Sequence, residues 1–271
     1  MPIIAISRGT FSGGRTIAEC LAERLGYPCV SREVIFDAAE KYGVPTAKLT
    51  EAMGKPPSFW QQLTSERSSY VSYFRAALCE RARQSELVYH GFAGHILLKG
   101  ITHVIRVRVI ADSEYRISAA MREMKFERSE AIAYINKVDH ERASWNQFMY
   151  GVNWYDPSLY DLVLNLEHIT PAGACEVLVQ MAQLPEFQPT PASRRAMEDL
   201  ALRSQVEAAL AKDARTRTSE LRVCAHDGIV TVTGTTRLES VTKAVPAVAA
   251  QVEGVREVRS EVVVGSVLAR G

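Results

Sequence analysis

The stretch Gly9-Thr-Phe-Ser-Gly-Gly14-Arg15-Thr16 constrains this chain more than any other, because it joins an apolar run, Ile3 to Ser7, to a helical pattern, Thr16 to Leu25. A strand that turns through glycines into a helix leaves backbone N–H groups pointing inward, and the helix N-terminus adds positive potential. Such a loop binds phosphate oxygens. The spacing fits G-x-x-x-x-G-K-[ST] with Arg15 for Lys, a planar fork in place of a compact point charge. Gly9, Thr10, Phe11, Ser12, Gly13, Gly14, Arg15 and Thr16 are therefore expected to bind the phosphates of ATP. Arg15 would supply charge near the β- and γ-phosphates, and the Thr16 hydroxyl would take a Mg2+ position.

The same alternation continues along the chain. Tyr27 to Val30, Glu86 to His90, His103 to Ile110 and Leu159 to Asn165 read as strands, with helical patterns such as Arg32 to Tyr42 between and after them. Strands alternating with helices predict a mostly parallel sheet covered on both faces, an α/β fold. The pattern breaks at Leu184-Pro-Glu-Phe-Gln-Pro-Thr-Pro-Ala-Ser193, where prolines remove donors and helical continuity. Beyond the break, a helix over Ala196 to Lys212 is followed by Leu221 to Ala225 and Ile229 to Thr233 around the turn Asp227-Gly228. A second helix, Leu238 to Val252, stops at Gly254, and Val258 to Val264 is the last strand. The 271 residues divide into 1–184, a Pro-rich linker 185–195, and a small α+β unit of order α-β-β-α-β over 196–267.

Composition bounds the partners. Thirty-two Lys plus Arg against 31 Asp plus Glu give a formal net charge of +1, so no overall field attracts nucleic acid, and any anion site must be local. Five cysteines, Cys20, Cys29, Cys79, Cys175 and Cys224, form no C-x-x-C pair. That argues against a disulfide framework or zinc cluster and for a reducing cytosol. No apolar run approaches the roughly 20 residues that span a bilayer, so no transmembrane segment is expected and the location is read as cytoplasmic.

With the loop in hand, Ile3 to Ile35 and Val104 to Leu166 resemble the cytidylate kinase-like family of P-loop nucleoside monophosphate kinases. The matching residues are Ile-Ala-Ile-Ser-Arg before the loop, Leu25-Gly-Tyr-Pro28 after it, Val107-Arg-Val-Ile-Ala111 with Arg116-Ile117, Asp139-His-Glu-Arg142, Gly151-Val-Asn-Trp154 and Ser158-Leu-Tyr-Asp-Leu162. The resemblance implies a three-layer parallel sheet with a helical lid, and transfer of the γ-phosphoryl of ATP to a nucleoside monophosphate, CMP by family default. It also makes Arg15 ordinary family usage. Arg15 and Arg142 become the catalytic charges, Asp139 supports the lid, Arg116 contacts nucleotide, and Arg32 with His90 binds the acceptor. Three positions depart from the family: Ser31 stands where an acidic residue is common, His90 where an Asp would organise Mg2+, and Phe92 where an acceptor-phosphate Arg is expected. Trp145, Phe148, Tyr150, Trp154 and Tyr155 are expected to pack the lid helix rather than stack a base, and Ser58 to Leu78 to form acceptor-side helices or a dimer face.

Residues 196 to 265 resemble a BON domain, carried by Leu202 to Leu210, Leu221-Arg-Val223, Asp227-Gly-Ile-Val-Thr-Val-Thr-Gly234 and Val252-Glu-Gly-Val255. Such modules are thought to bind phospholipid or other small ligands. The expectation is an ATP- and Mg2+-dependent nucleotide kinase with nucleotide substrates and a ligand-sensing, docking or dimerising C-terminal module. The alternative is a catalytically weak or inactive ATP-binding sensor whose BON-like module transmits nucleotide occupancy.

Overall fold

The computed structural model describes residues 1–54, 65–84, 86–91 and 93–265. By internal packing the chain forms two units: Met1–Val34, Thr50–Trp60 and Gln84–Ser193 make the first, and Ile35–Leu49, Gln61–Arg83 and Arg194–Gly271 the second. Strands β1 (Ile3–Arg8), β2 (Cys29–Val30), β3 (Val88–Tyr89), β4 (Val104–Ile110) and β5 (Leu162–Asn165) belong to the first. They form one parallel sheet of order β2-β3-β1-β4-β5.

The helices of this unit are α1 (Gly14–Leu25), α5 (Gly94–Leu97), α6 (Ser113–Met124), α7 (Arg128–Tyr150) and α8 (Pro171–Gln183). β1 is buried along nearly its whole length, as a strand covered on both faces must be. Ile4 and Ile6 join Ile17 and Leu21 of α1 and Leu178 of α8 in one apolar cluster, whereas Ala5 faces Gly94 of α5. The α6–α7 pair has its own small core of Ile117, Ala120, Ala131 and Ile135. Local chemistry sets its ends: the Asp112 carboxylate accepts from Glu114 N at 2.7 Å, and Glu130 accepts from Glu127 N at 2.9 Å.

Packing α1 against α8 corrects the cysteine expectation. Cys20 and Cys175, 155 residues apart, are joined in a disulfide between these helices. No spacing rule finds such a pair, because the two residues meet only through helix packing. Cys29, Cys79 and Cys224 remain free.

The second unit contains α2 (Glu33–Tyr42), much of α3 (Thr46–Gly54), α4 (Ser65–Arg83), α9 (Pro191–Lys212) and α10 (Glu239–Ala249). It also holds strands β6 (Glu220–His226), β7 (Ile229–Thr236) and β8 (Glu257–Val264). β6 and β7 form an antiparallel hairpin, and β8 lies parallel to β7. Val206, Leu210, Val230, Val232, Val245 and Val262 lie in its core. The α-β-β-α-β order is as expected, but α9 begins at Pro191, inside the proline-rich stretch, where Pro suits a first helical turn. Nor does that stretch hang free. Ser193 is buried, its hydroxyl 2.8 Å from His103 Nδ1 and accepting from Thr190 N at 2.9 Å. Phe59 and Trp60 lie outside the described residues, whereas Tyr70, Tyr73 and Phe74 are buried on α4.

Candidate active site at the phosphate loop

The loop follows the central strand. Ser12 Oγ lies 3.0 Å from the carbonyl oxygens of both Gly9 and Val109, tying the turn to β4. Gly13 has φ +80°, and a Cβ there would come within 2.7 Å of Leu166, so backbone and space both require glycine. Gly14 is needed for a different reason: a Cβ would meet Arg8 Cβ at 2.8 Å and Cδ at 2.9 Å, because the stem of Arg8 lies across the start of α1. Among the described residues, the N–H groups of Gly13, Gly14, Arg15 and Thr16 have no carbonyl or carboxylate partner. They form the cradle that a phosphate would fill. Thr16 is exposed and its hydroxyl has no protein partner, which suits a Mg2+ oxygen ligand. Arg15 is turned outward, its Nε 2.7 Å from Glu19 Oε1 on the next turn of α1. Phe11, at φ +58°, packs its ring against the α6–α7 core, 6.0 Å from Tyr134.

Helix α7 delivers two side chains to the loop. Asp139 Oδ1 accepts from Thr10 N at 2.9 Å and Thr10 Oγ1 at 2.6 Å, and its other oxygen pairs with Arg116. Arg116 Nε also donates to Thr10 O at 2.8 Å. Arg142 Nη1 donates to Arg8 O at 3.0 Å and Thr10 Oγ1 at 3.2 Å. Burial lowers the Arg142 pKa, with the Asp139 charge opposing that effect. Asp139, Arg142 and Arg116 thus converge on Thr10 from three positions that are scattered in sequence.

Beside the loop opens a cleft lined among others by Arg8, Arg32, Arg142, Ser31, Asn146 and Trp154, with no carboxylate among the described lining residues. Arg8 is pushed down to about 10, by burial first and then by the charges of Arg142, Arg15 and Arg32, and so stays cationic at neutral pH. Its Nε is buried with no hydrogen-bond partner. Such a cluster of guanidinium groups, its described lining free of carboxylates, favours a bound anion.

The matching pattern of the cytidylate kinase-like family covers residues 3–168, and that of the BON domain residues 198–266. The chain belongs to the cytidylate kinase-like family. A cytidylate kinase of Sulfurisphaera tokodaii is 27% identical over 179 residues, covering 65% of this chain and 92% of that protein. The crystal structure of an uncharacterized protein from Eubacterium ventriosum ATCC 27560 superposes with a TM-score of 0.53 at 17% identity. It covers 67% of this chain and 98% of its own, a likeness of fold.

The residues expected from the resemblance to bind an acceptor do not all come together. His90 does not line the cleft. It is 7% exposed, its Nδ1 is 3.5 Å from Arg8 Nη2, and burial followed by the Arg8 charge pushes it down to about 4. A neutral imidazole there accepts a weak, long hydrogen bond from Arg8, and the structure does not bring His90 to the cleft lining as expected. Ser31 Oγ donates to His90 O at 2.9 Å, and Phe92 lies outside the described residues.

The aromatic residues divide. Trp145 and Trp154 are buried; Trp145 Nε1 donates to Ala52 O at 3.0 Å and Trp154 Nε1 to Ser7 Oγ at 2.8 Å. Phe148 and Tyr155 are exposed. Beneath the cleft, Arg108 lies 4.2 Å from the centre of the Trp154 ring and donates to Trp154 O at 3.2 Å. Arg8 and Arg108 fall among the matching residues without a role being read for either, and Asn146 lies outside them. Only Arg8, next to the loop, has a sequence position that could have pointed to it.

Proposed function

We propose that the chain is an ATP-dependent kinase that transfers a phosphoryl group to a nucleoside monophosphate, with CMP the first acceptor to test. The observation that carries this is the cleft of Arg8, Arg32 and Arg142, with no carboxylate among its described lining residues, opening beside a loop whose amides have no partner among the described residues. Phosphoryl transfer asks little covalent chemistry of a protein; two polyanions must be held in line and their charge stabilised. The loop amides hold the phosphates of ATP, and Arg8 with Arg32 holds the acceptor phosphate. An acceptor oxygen bonds to the γ-phosphorus as the bridging P–O bond breaks, and the electron pair leaves with ADP. Arg142, already reaching both Arg8 and Thr10, is placed to neutralise the charge passing between them. Arg15 must leave Glu19 to join it. Thr16 would hold Mg2+, which neutralises charge on the β- and γ-oxygens.

A second reading is an ATP-binding sensor without turnover. It is favoured by Asp139, whose carboxylate occupies the Thr10 amide where a phosphate oxygen would compete with it. The C-terminal module serves either reading as a sensing, docking or dimerising accessory for a phospholipid or small ligand. No described helix is long and apolar enough to cross a membrane, and a cytoplasmic location, where ATP is supplied, is part of this reading. The deciding experiment gives the full chain Mg-ATP and a panel of nucleoside monophosphates, scoring diphosphate formation beside ATP binding. Turnover abolished by Arg142→Ala supports the kinase. Tight ATP binding without turnover supports the sensor, and absence of ATP binding overturns both.

A further inference from the structure

The described lining of the cleft carries three guanidinium groups, Arg8, Arg32 and Arg142, and one side-chain amide, Asn146 on α7. Asn146 is 5% exposed and lines the cleft one helical turn beyond Arg142. Its Nδ2 donates to Arg142 O at 2.8 Å, which settles the amide orientation because a carbonyl oxygen can only accept. Asn146 Oδ1 is then left buried with no hydrogen-bond partner among the described residues. A buried acceptor without a donor is rare and signals a missing partner.

The nearby neutral donors of the lining, and one arm of Arg142, are already engaged. Ser31 Oγ donates to His90 O, Trp154 Nε1 donates to Ser7 Oγ, and Arg142 Nη1 is engaged with Arg8 O and Thr10 Oγ1. A phosphate oxygen placed against Oδ1 would meet a second acceptor and be repelled. The lining is therefore directional: guanidinium groups take the anionic end of a ligand, and the Asn146 oxygen takes a hydrogen-bond donor on its other end.

We propose that Asn146 is a specificity-determining residue of the acceptor site, its Oδ1 accepting a hydrogen bond from an N–H or O–H group of the phosphorylated acceptor. This rests on the cleft being the acceptor site. The donor has two chemical sources in a nucleotide, an exocyclic amine of the base or a hydroxyl of the sugar. Sites built around such a bond reject ligands that lack the donor, because the buried group is then left unpaired.

The test compares kcat/KM of the full-length wild type and Asn146→Leu for CMP, UMP and 2′-deoxyCMP, with AMP and IMP as the purine pair and the KM for ATP as control. If the base amine is read, wild type prefers CMP to UMP and AMP to IMP by roughly 10- to 100-fold, and Asn146→Leu collapses both ratios. If a sugar hydroxyl is read, the ratio of CMP to 2′-deoxyCMP collapses instead. A merely structural role lowers all rates together and leaves every ratio intact, which overturns the proposal while the kinase stands. Asn146→Ala gives the same readout should the Leu variant not fold. A wild type that phosphorylates none of these acceptors overturns the acceptor-site reading, and the Asn146 role falls with it.

Discussion

Arg8 ends β1 and shows how one residue couples two sites. Its stem crosses the space that Gly14 leaves empty, and its head joins Arg32 and Arg142 at the cleft. A lysine there keeps the charge but loses the fork that grips a phosphate. Arg8→Lys is expected to raise the acceptor KM by about 10-fold or more while leaving ATP affinity within about twofold. Isothermal titration for ATP beside acceptor kinetics separates the two effects. His90 carries a pH consequence. Its folded pKa of about 4 lies below the ordinary 6.5, so below pH 6.5 the unfolded chain takes up a proton that the folded one refuses. The His90 contribution is constant above pH 6.5 and is lost as pH drops towards 4, by an amount on the order of a few kcal/mol. His95, pushed down to about 3 by burial and then by Arg108 and Arg106, adds to the same loss. Urea titrations at pH 7 and pH 5 measure it, and His90→Gln should flatten the difference.

Two helix contacts bear on function. Asp139 on α7 holds the Thr10 amide and hydroxyl, and a carboxylate there competes with phosphate. Asp139→Asn is expected to tighten ATP binding several-fold in a binding assay, since the competing charge is gone. α1, which begins at the loop, is joined to α8 by Cys20 and Cys175. Closing a loop of that length restricts the unfolded chain, so reduction, or Cys175→Ala, is expected to cost about 2–4 kcal/mol of stability. Thermal melts with and without reductant, beside peptide mapping of unreduced protein, check this. α1 itself was legible in the sequence because glycine spacing and apolar periodicity are local signals. Its disulfide partner was not, since nothing near Cys20 in the chain refers to Cys175.

Across the molecule, residues 35–49 and 61–83, although inserted in the kinase-like sequence, pack in the same unit as the C-terminal residues. Ser69 Oγ donates to Ala211 O, Arg75 pairs with Glu207, and Ser204 Oγ contacts buried Cys79. The C-terminal module is therefore structural support for α4. A chain ending at residue 193 is expected to melt at lower temperature or aggregate, measured by calorimetry and light scattering against the full chain. An unchanged melting temperature in a soluble monomer would refute this dependence.

By itself the sequence determined the features whose cause is local. The loop from Gly9 to Thr16 needs its glycines where the backbone turns, the Asp227-Gly228 hairpin needs two left-handed residues, and the α-β-β-α-β order follows from periodicity. Only the tertiary structure decided which distant side chains share a site. Arg8 meets Arg142, Asn146 faces the cleft, and His90 withdraws behind Arg8, because sheet order and helix packing bring together residues 82 and 134 positions apart. Pairing across such distances leaves no local pattern, since each side chain answers to the burial and charge of neighbours that the chain supplies elsewhere.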